Sequence, residues 1–226
     1  MNAGKSPEGG VTRSTGEIPS ITITNITTDG NLDFESDINF VPVDFYEEFN
    51  ASKGGLILYD ILIAKDGATT GKTAIIDDHF PFVEKTKGSP KVKAIFSEHV
   101  FRLRMKKGVV PLYIHSFLNS ALGQLQLETV TSGGAQGGIT TGFADEIYVP
   151  MVDEDIQMKI AQHWVARNLE IQKLRRSYEK TICAAKEEID EMIQKSKPIS
   201  AKSLASVLYI KGKIESNNSS INEESE

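Results

Sequence analysis

DEDIQMKIAQHWVARNLEIQKLRRSYEKTICAAKEEIDEMIQ, residues 153–194, decides the architecture. Asp153, Glu154 and Asp155 put negative charge where a helix exposes its first amide groups, and neither Gly nor Pro follows until Pro198. The run predicts a single helix of about 42 residues, roughly 60 Å long at 1.5 Å per residue. Trp164, Ile171, Tyr178, Ala185 and Met192 recur every seven positions; Ile160 and Leu174 fill intervening sites, and Ile182, Ile189 and Ile193 widen the stripe to one side. Arg167, Thr181 and Glu188 interrupt it. A stripe through Ile160, Trp164, Ile171, Leu174, Tyr178, Ile182, Ile189 and Met192 outruns what one small domain covers, so it calls for a partner helix. The expected occupant is a second copy of the chain packed antiparallel.

Upstream of this helix the pattern turns β-rich. Residues 18–27, IPSITITNIT, alternate like a strand, and Thr28–Asn31 supplies a turn. Asp44–Phe49 reads as a short helical turn. Leu56–Ala64 and Thr73–Ile76 read as buried strands joined by the loop Lys65–Lys72, and Ala94–Met105 as a third. In that third strand Val100, Arg102 and Arg104 share one face, with Phe101, Leu103 and Met105 on the other. Pro111–Leu122, stopped by Gly123, reads as a helix; Glu128–Thr141 reads as a second small-residue loop, and Ile147–Pro150 as a last strand. Strands and short helices without βαβ alternation predict an α+β fold. The expected organisation is a mixed, β-rich domain over residues 1–152, a long coiled-coil-type helix over 153–196, and a disordered Ser/Asn/Glu-rich tail over 197–226.

Composition narrows the function. The chain has 226 residues and a formal charge of −6, and residues 1–152 carry ten Lys and three Arg against eighteen Asp and Glu, a balance of −5. Binding to a polyanion therefore has to come from local patches. The cations do cluster, at Lys85, Lys87, Lys91 and Lys93 and again at Arg102, Arg104, Lys106 and Lys107. The sole cysteine, Cys183, excludes an internal disulfide framework; with no apolar leader segment and no membrane-length apolar run, a cytoplasmic protein is expected.

Enzyme signals are lacking. Gly67-Ala68-Thr69-Thr70-Gly71-Lys72-Thr73 looks like a phosphate cradle but has three residues between its glycines where four are needed, and a strand follows instead of a helix. His79, His99, His115 and His163 are scattered at no metal-ligand spacing, so no metal and no cofactor is expected. A hairpin loop of small hydroxyl residues flanked by Lys65 and Lys72 instead suits close approach to a ligand backbone. The second loop, Thr131–Ile139, is glycine-dense with one Gln136, and glutamine pairs bidentately with adenine in the major groove.

In order and spacing these pieces resemble the specificity subunits of type I restriction-modification systems. The matching elements are Gly16–Ile21 with Asn25-Ile26 and Gly30; Tyr59–Lys72, like the family's "G-D-hydrophobic-L-hydrophobic-A … G-x-x-x-G"; Pro111–Ile114; Leu118–Gly123; Gly134–Ile139 before Ile147–Pro150; and Gln157–Ile160, like "Q-x-x-I". The resemblance implies a non-catalytic subunit that reads double-stranded DNA and positions modification subunits, which bring S-adenosylmethionine, and a restriction subunit. The DNA-facing residues would be Lys65, Thr69, Thr70, Lys72, Lys85, Lys87, Lys91, Lys93, Arg102, Arg104, Ser132, Gly134 and Gln136. The chain departs from the family in having one recognition domain and one long helix, as a half-subunit or a fragment would, and the strand that usually precedes the opening motif is shortened or missing. A half-subunit dimerised through its helix would read a palindromic split site. Two other readings stay open. The chain would be the C-terminal recognition piece of a fused adenine-specific methyltransferase or restriction enzyme, or, in keeping with its acidic balance, a helix-mediated protein adaptor.

Overall fold

A computed structural model describes residues 1–7, 16–34, 38–84, 91–131 and 137–195. In chain order these form β1 (Asn2–Ala3), β2 (Ile18–Ile21), β3 (Asn39–Val41), α1 (Val43–Lys53), β4 (Ile61–Ala64), β5 (Thr73–Ile75), β6 (Val83–Glu84), β7 (Lys91–Val92), β8 (Ile95–Phe96), β9 (Val100–Leu103), α2 (Pro111–Leu118), α3 (Ala121–Thr129) and α4 (Glu154–Lys195). The fold is α+β, with two compact units, Met1–Asn168 and Leu169–Glu226.

The first unit is organised by β4. Its apolar run Ile61-Leu62-Ile63-Ala64 is buried on both faces, because β4 lies inside the sheet β1-β9-β4-β5 and successive side chains point to opposite sides. Leu62 and Ala64 join Val100 in a core with Ile18, Ile21, Phe49 and Phe96, which come from α1 and the sheet β3-β2-β8. Ile61 and Ile63 join Phe101 in a second core with Tyr113, Phe117, Leu127 and Phe143, contributed by α2, α3 and the segment behind them. The register pairs Ile63 with Phe101 and Ala64 with Val100, so each face of the sheet feeds one core.

Local chemistry cuts several expected elements short. The strand expected over 18–27 ends at Ile21, because Asn25 Oδ1 accepts from the Thr22 N–H at 2.9 Å and winds Ile23–Asn25 into a 3₁₀ turn. The strand expected from Leu56 starts only at Ile61; the Asp60 carboxylate accepts from the Ile57 N–H at 2.9 Å and Tyr59 takes φ 68°, which turns the chain first. The single strand expected over 94–105 is two. A turn closed by Val100 N–H to Ser97 O (3.0 Å) sends β8 parallel to β2 and β9 antiparallel to β4.

Gly123 does not stop a helix. It opens α3, where its N–H reaches the Ser120 hydroxyl at 3.2 Å and a Cβ would stand 2.1 Å from Phe117 O. Ile147–Pro150 is not a strand, since the Gln126 side-chain amide holds the Tyr148 backbone at both its N–H (2.7 Å) and its carbonyl (3.2 Å). β1 is two residues long and pairs with β9. Residues 196–226 lie outside the described residues.

The first turns of α4 belong to the first unit through one face, at Gln157, Ala161, Trp164 and Asn168. Gln157 is buried, accepting from Val110 N–H (3.2 Å) and donating to Val152 O (2.8 Å). Trp164 packs edge-on to His115 with ring centroids 5.7 Å apart. Asn168 and Asn31 exchange amide hydrogen bonds of 2.6 and 2.9 Å. Gly30, at φ 80°, lies under Trp164, where a Cβ would come within 3.1 Å of the indole.

Candidate nucleic-acid interface

The β4–β5 hairpin carries the first candidate loop. Backbone hydrogen bonds from Ala64 N–H to Lys72 O (2.9 Å), Gly71 N–H to Ala64 O (3.0 Å) and Lys72 N–H to Thr69 O (3.0 Å) fix its shape. Gly67 and Gly71 supply the positive φ angles, 78° and 83°, that the turns need.

Against this loop lies the start of the second one. Asp66 and Gly138 form an antiparallel bridge, Ile139 N–H donates to Lys65 O at 2.7 Å, and the Thr70 hydroxyl donates to Gly67 O (2.7 Å) and Gly137 O (3.2 Å). Two segments about 70 residues apart, chosen in the sequence for composition alone, thus share one surface. Ser132, Gly134 and Gln136 themselves lie outside the described residues.

The side chains sort by role. Lys65 is part-exposed; its ammonium lies 5.9 Å from the centre of the Phe101 ring and 4.0 Å from Asp66. The Thr69 hydroxyl reaches Ile23 O at 3.5 Å, so the Ile23–Asn25 turn borders the loop too. Thr69 and Thr70 therefore help hold the loop's shape, and Lys72 is half-buried at its closure.

A pairing that sequence reasoning missed joins them. His99 Nδ1 stands 2.8 and 2.9 Å from the two Asp66 oxygens, and Lys65 N–H donates to His99 O at 2.8 Å. The β8–β9 turn is thereby tied to the hairpin loop. Nothing local marks this pair, because its members are 33 residues apart.

The second basic cluster separates. Arg102 is a correction: it is 6% exposed, and its guanidinium donates to Gly54 O, to Gly55 O (3.1 Å) and to Lys53 O (2.9 Å), closing off the C-terminus of α1. Burial, with help from neighbouring Arg104, holds its pKa below the usual arginine range. Arg104 forms a two-pronged pair with fully buried Asp60, Nε to Oδ1 and Nη2 to Oδ2 both at 2.7 Å, and adds Gly55 O at 2.8 Å. These bonds to Asp60 raise its pKa. Both arginines spend donors on the 53–60 segment, as burying a guanidinium requires.

Lys93 and Arg104 line one cavity of about 500 Å³ with Tyr46, Asn50, Leu56 and Ile57. Lys91 stands in β7 opposite Glu84 in β6, and Lys85 and Lys87 lie outside the described residues.

On the helix, Trp164 is the second correction: it anchors α4 within the first unit and is not part of an open stripe. Ile160 remains exposed, as do Ile171, Leu174, Tyr178, Ile182, Ile189 and Met192. Among the described residues no helix is long and apolar enough to cross a membrane.

Compared with known proteins, the chain matches no family model and no curated protein. Among solved structures it superposes on a chain from a type I R-M system, determined to explain that system's complex assembly and conformational transition. The TM-score is 0.50 at 15% identity, over 82% of this chain and 40% of that one. At that identity the likeness is one of fold, and it spans less than half the length of that neighbour.

Proposed function

We propose that this chain is a non-catalytic DNA target-recognition component of a type I restriction-modification assembly, acting in the cytoplasm. It would position methyltransferase and restriction subunits on a split site, and S-adenosylmethionine would bind to the methyltransferase partner. The observation that carries the reading is the joining of the two small-residue loops, Lys65–Lys72 and the segment entering Ile139, into one surface at the end of the β4–β5 hairpin. Lys65 and Lys72 flank it, and backbone and hydroxyl groups are held at fixed positions, as phosphate contacts require. Gln136, in the second loop, is the side chain suited to an adenine edge. The fold shared with a type I R-M chain supports the same reading.

The test has two parts. Methylome sequencing of a host expressing the system reports the modified site and base. Anisotropy on that site then compares Gln136→Ala with the native chain, in complex with its partner subunits. A loss of about 1–3 kcal/mol on the cognate duplex, and little on random DNA, is expected for a base reader. Equal losses on both reassign Gln136 to structure, and salt-insensitive binding throughout favours the protein-adaptor reading, toward which the net charge of −6 leans.

A further inference from the structure

The net charge of the chain is concentrated in one stretch. Between Lys107 and Lys159 there is no Lys or Arg, and the acids are Glu128, Asp145, Glu146, Asp153, Glu154 and Asp155. The whole chain sets 25 Lys and Arg against 31 Asp and Glu, so without these six it is neutral. All six are exposed.

The same stretch carries the most exposed apolar side chains of the first unit. Leu122, Leu125, Tyr148 and Met151 are each more than half exposed, and no other large apolar side chain described between Met1 and Asn168 exceeds 44%. Single exposed apolar residues are ordinary on a protein surface, whereas a group of them marks a contact surface.

The fold brings these four together. On α3, Gly123 and Leu127 are buried, which leaves Leu122, Leu125 and Gln126 along the outer face at helical spacing. Gln126 grips Tyr148 by its backbone N–H and carbonyl, so Tyr148 stands beside the two leucines. The segment through Tyr148 turns Ile147, Val149 and Val152 toward the second core and leaves Tyr148 and Met151 outside. The Tyr113 hydroxyl donates to Pro150 O and pins it there. Glu128 lies one turn along α3 from Leu125, Glu146 two residues before Tyr148, and Asp153 two after Met151, so carboxylates rim the patch.

That rim selects the occupant. Carboxylates without neighbouring Lys or Arg repel phosphates and acidic headgroups. An apolar centre with an acidic edge complements side chains that are apolar in the middle and cationic at the flanks.

We propose that α3 and residues 147–153 form a docking surface for a basic, apolar segment of a partner protein. Its apolar side chains would cover Leu122, Leu125, Tyr148 and Met151, and its Lys or Arg would meet Glu128, Glu146 and Asp153. The proposal rests on exposure and charge within the first unit, so it stands or falls separately from DNA recognition.

The test is a library of random peptides displayed on phage and selected on the full-length chain, with a Leu125→Ser, Tyr148→Ser chain for counter-selection. Both side chains are exposed, and Tyr148 is held through its backbone, so the variant should fold; circular dichroism checks that it does. Surviving peptides should combine Lys or Arg with large apolar residues and bind the native chain at least about tenfold more tightly than the variant. Glu128→Lys with Glu146→Lys should weaken them by about tenfold, and Ile171→Ser with Leu174→Ser on α4 should not.

Acidic or uncharged winners, peptides that ignore the charge reversal, or a selection that yields none would overturn the proposal. So would self-association of the native chain that the Leu125→Ser, Tyr148→Ser variant loses in sedimentation, since the occupant would then be a second copy.

Discussion

One helix lives in two environments. Between Gln157 and Asn168 its inward face is a glutamine, a tryptophan and an asparagine, each meeting a particular partner in the first unit, and a buried alanine. Between Ile171 and Ile193 its apolar face is almost entirely aliphatic and exposed, with Leu174 at 65% and Met192 at 71%. The residues with most to gain from burial are the ones left open, and the docked face is the more polar. A helix end held by amide pairs and one aromatic ring is held by contacts specific to those residues. An aliphatic strip carries no such demand. The difference separates an anchored stretch from an exposed one within a single element.

The largest effect should come from removing the anchor. Trp164→Ala deletes the ring that covers His115 and Gly30 and should cost about 3–4 kcal/mol of unfolding free energy in urea titration. A loss below about 1 kcal/mol would mean that the amide pairs alone hold the start of α4.

Next comes acid sensitivity at the same anchor. Burial pushes His115 down to about 4 from an ordinary value near 6.5, with backbone groups of Gly30 and Thr73 pulling the other way. A histidine with a depressed folded-state pKa favours folding when neutral, and the unfolded chain takes up the proton first as pH falls. Its contribution is therefore complete above pH 6.5 and is lost between 6.5 and 4, to a total of up to about 3 kcal/mol. Urea midpoints against pH should show that limb in the native chain and a flatter one in His115→Leu. Parallel profiles would exclude His115 as its source.

These anchors also mark where the sequence was legible. The helix from Glu154, the α+β class and the β4–β5 hairpin followed from long-period patterning, which survives any tertiary context. Gln157 was visible only as part of a motif, and Trp164 was assigned to the open strip because a seven-residue spacing cannot distinguish a residue facing its own domain from one facing a partner. Arg102 and Arg104 alternate with apolar residues like surface cations. What buries Arg102 is the carbonyl end of α1 nearly 50 residues upstream, and no local pattern records that. The missed α3 has the same origin. Gly123 is a helix stop by propensity, yet here close contact with Phe117 O demands a glycine.

The contrast between structural and surface cations can be broken by mutation. Arg102→Ala leaves three carbonyls short of donors and should destabilise the fold by about 2 kcal/mol while leaving the salt slope of DNA binding unchanged. Lys65→Ala with Lys72→Ala should do the reverse. Stability should hold within about 0.5 kcal/mol, and the slope of log K against log salt should fall by about one per lost phosphate contact. An unchanged slope would remove the hairpin loop from the DNA surface.

The smallest effect is expected at Leu174, and its smallness is the point. The side chain is 65% exposed, so truncation to alanine removes little buried area, and alanine is at least as good a helix former as leucine. At low protein concentration Leu174→Ala should shift the unfolding free energy by less than about 0.5 kcal/mol. Where a partner helix covers the strip, the same substitution should lower the thermal midpoint, because association adds to stability by mass action and the variant loses that share. A concentration-independent loss of more than about 1 kcal/mol would mean that Leu174 packs on its own chain. The division of α4 into an anchored start and an open strip would then be wrong.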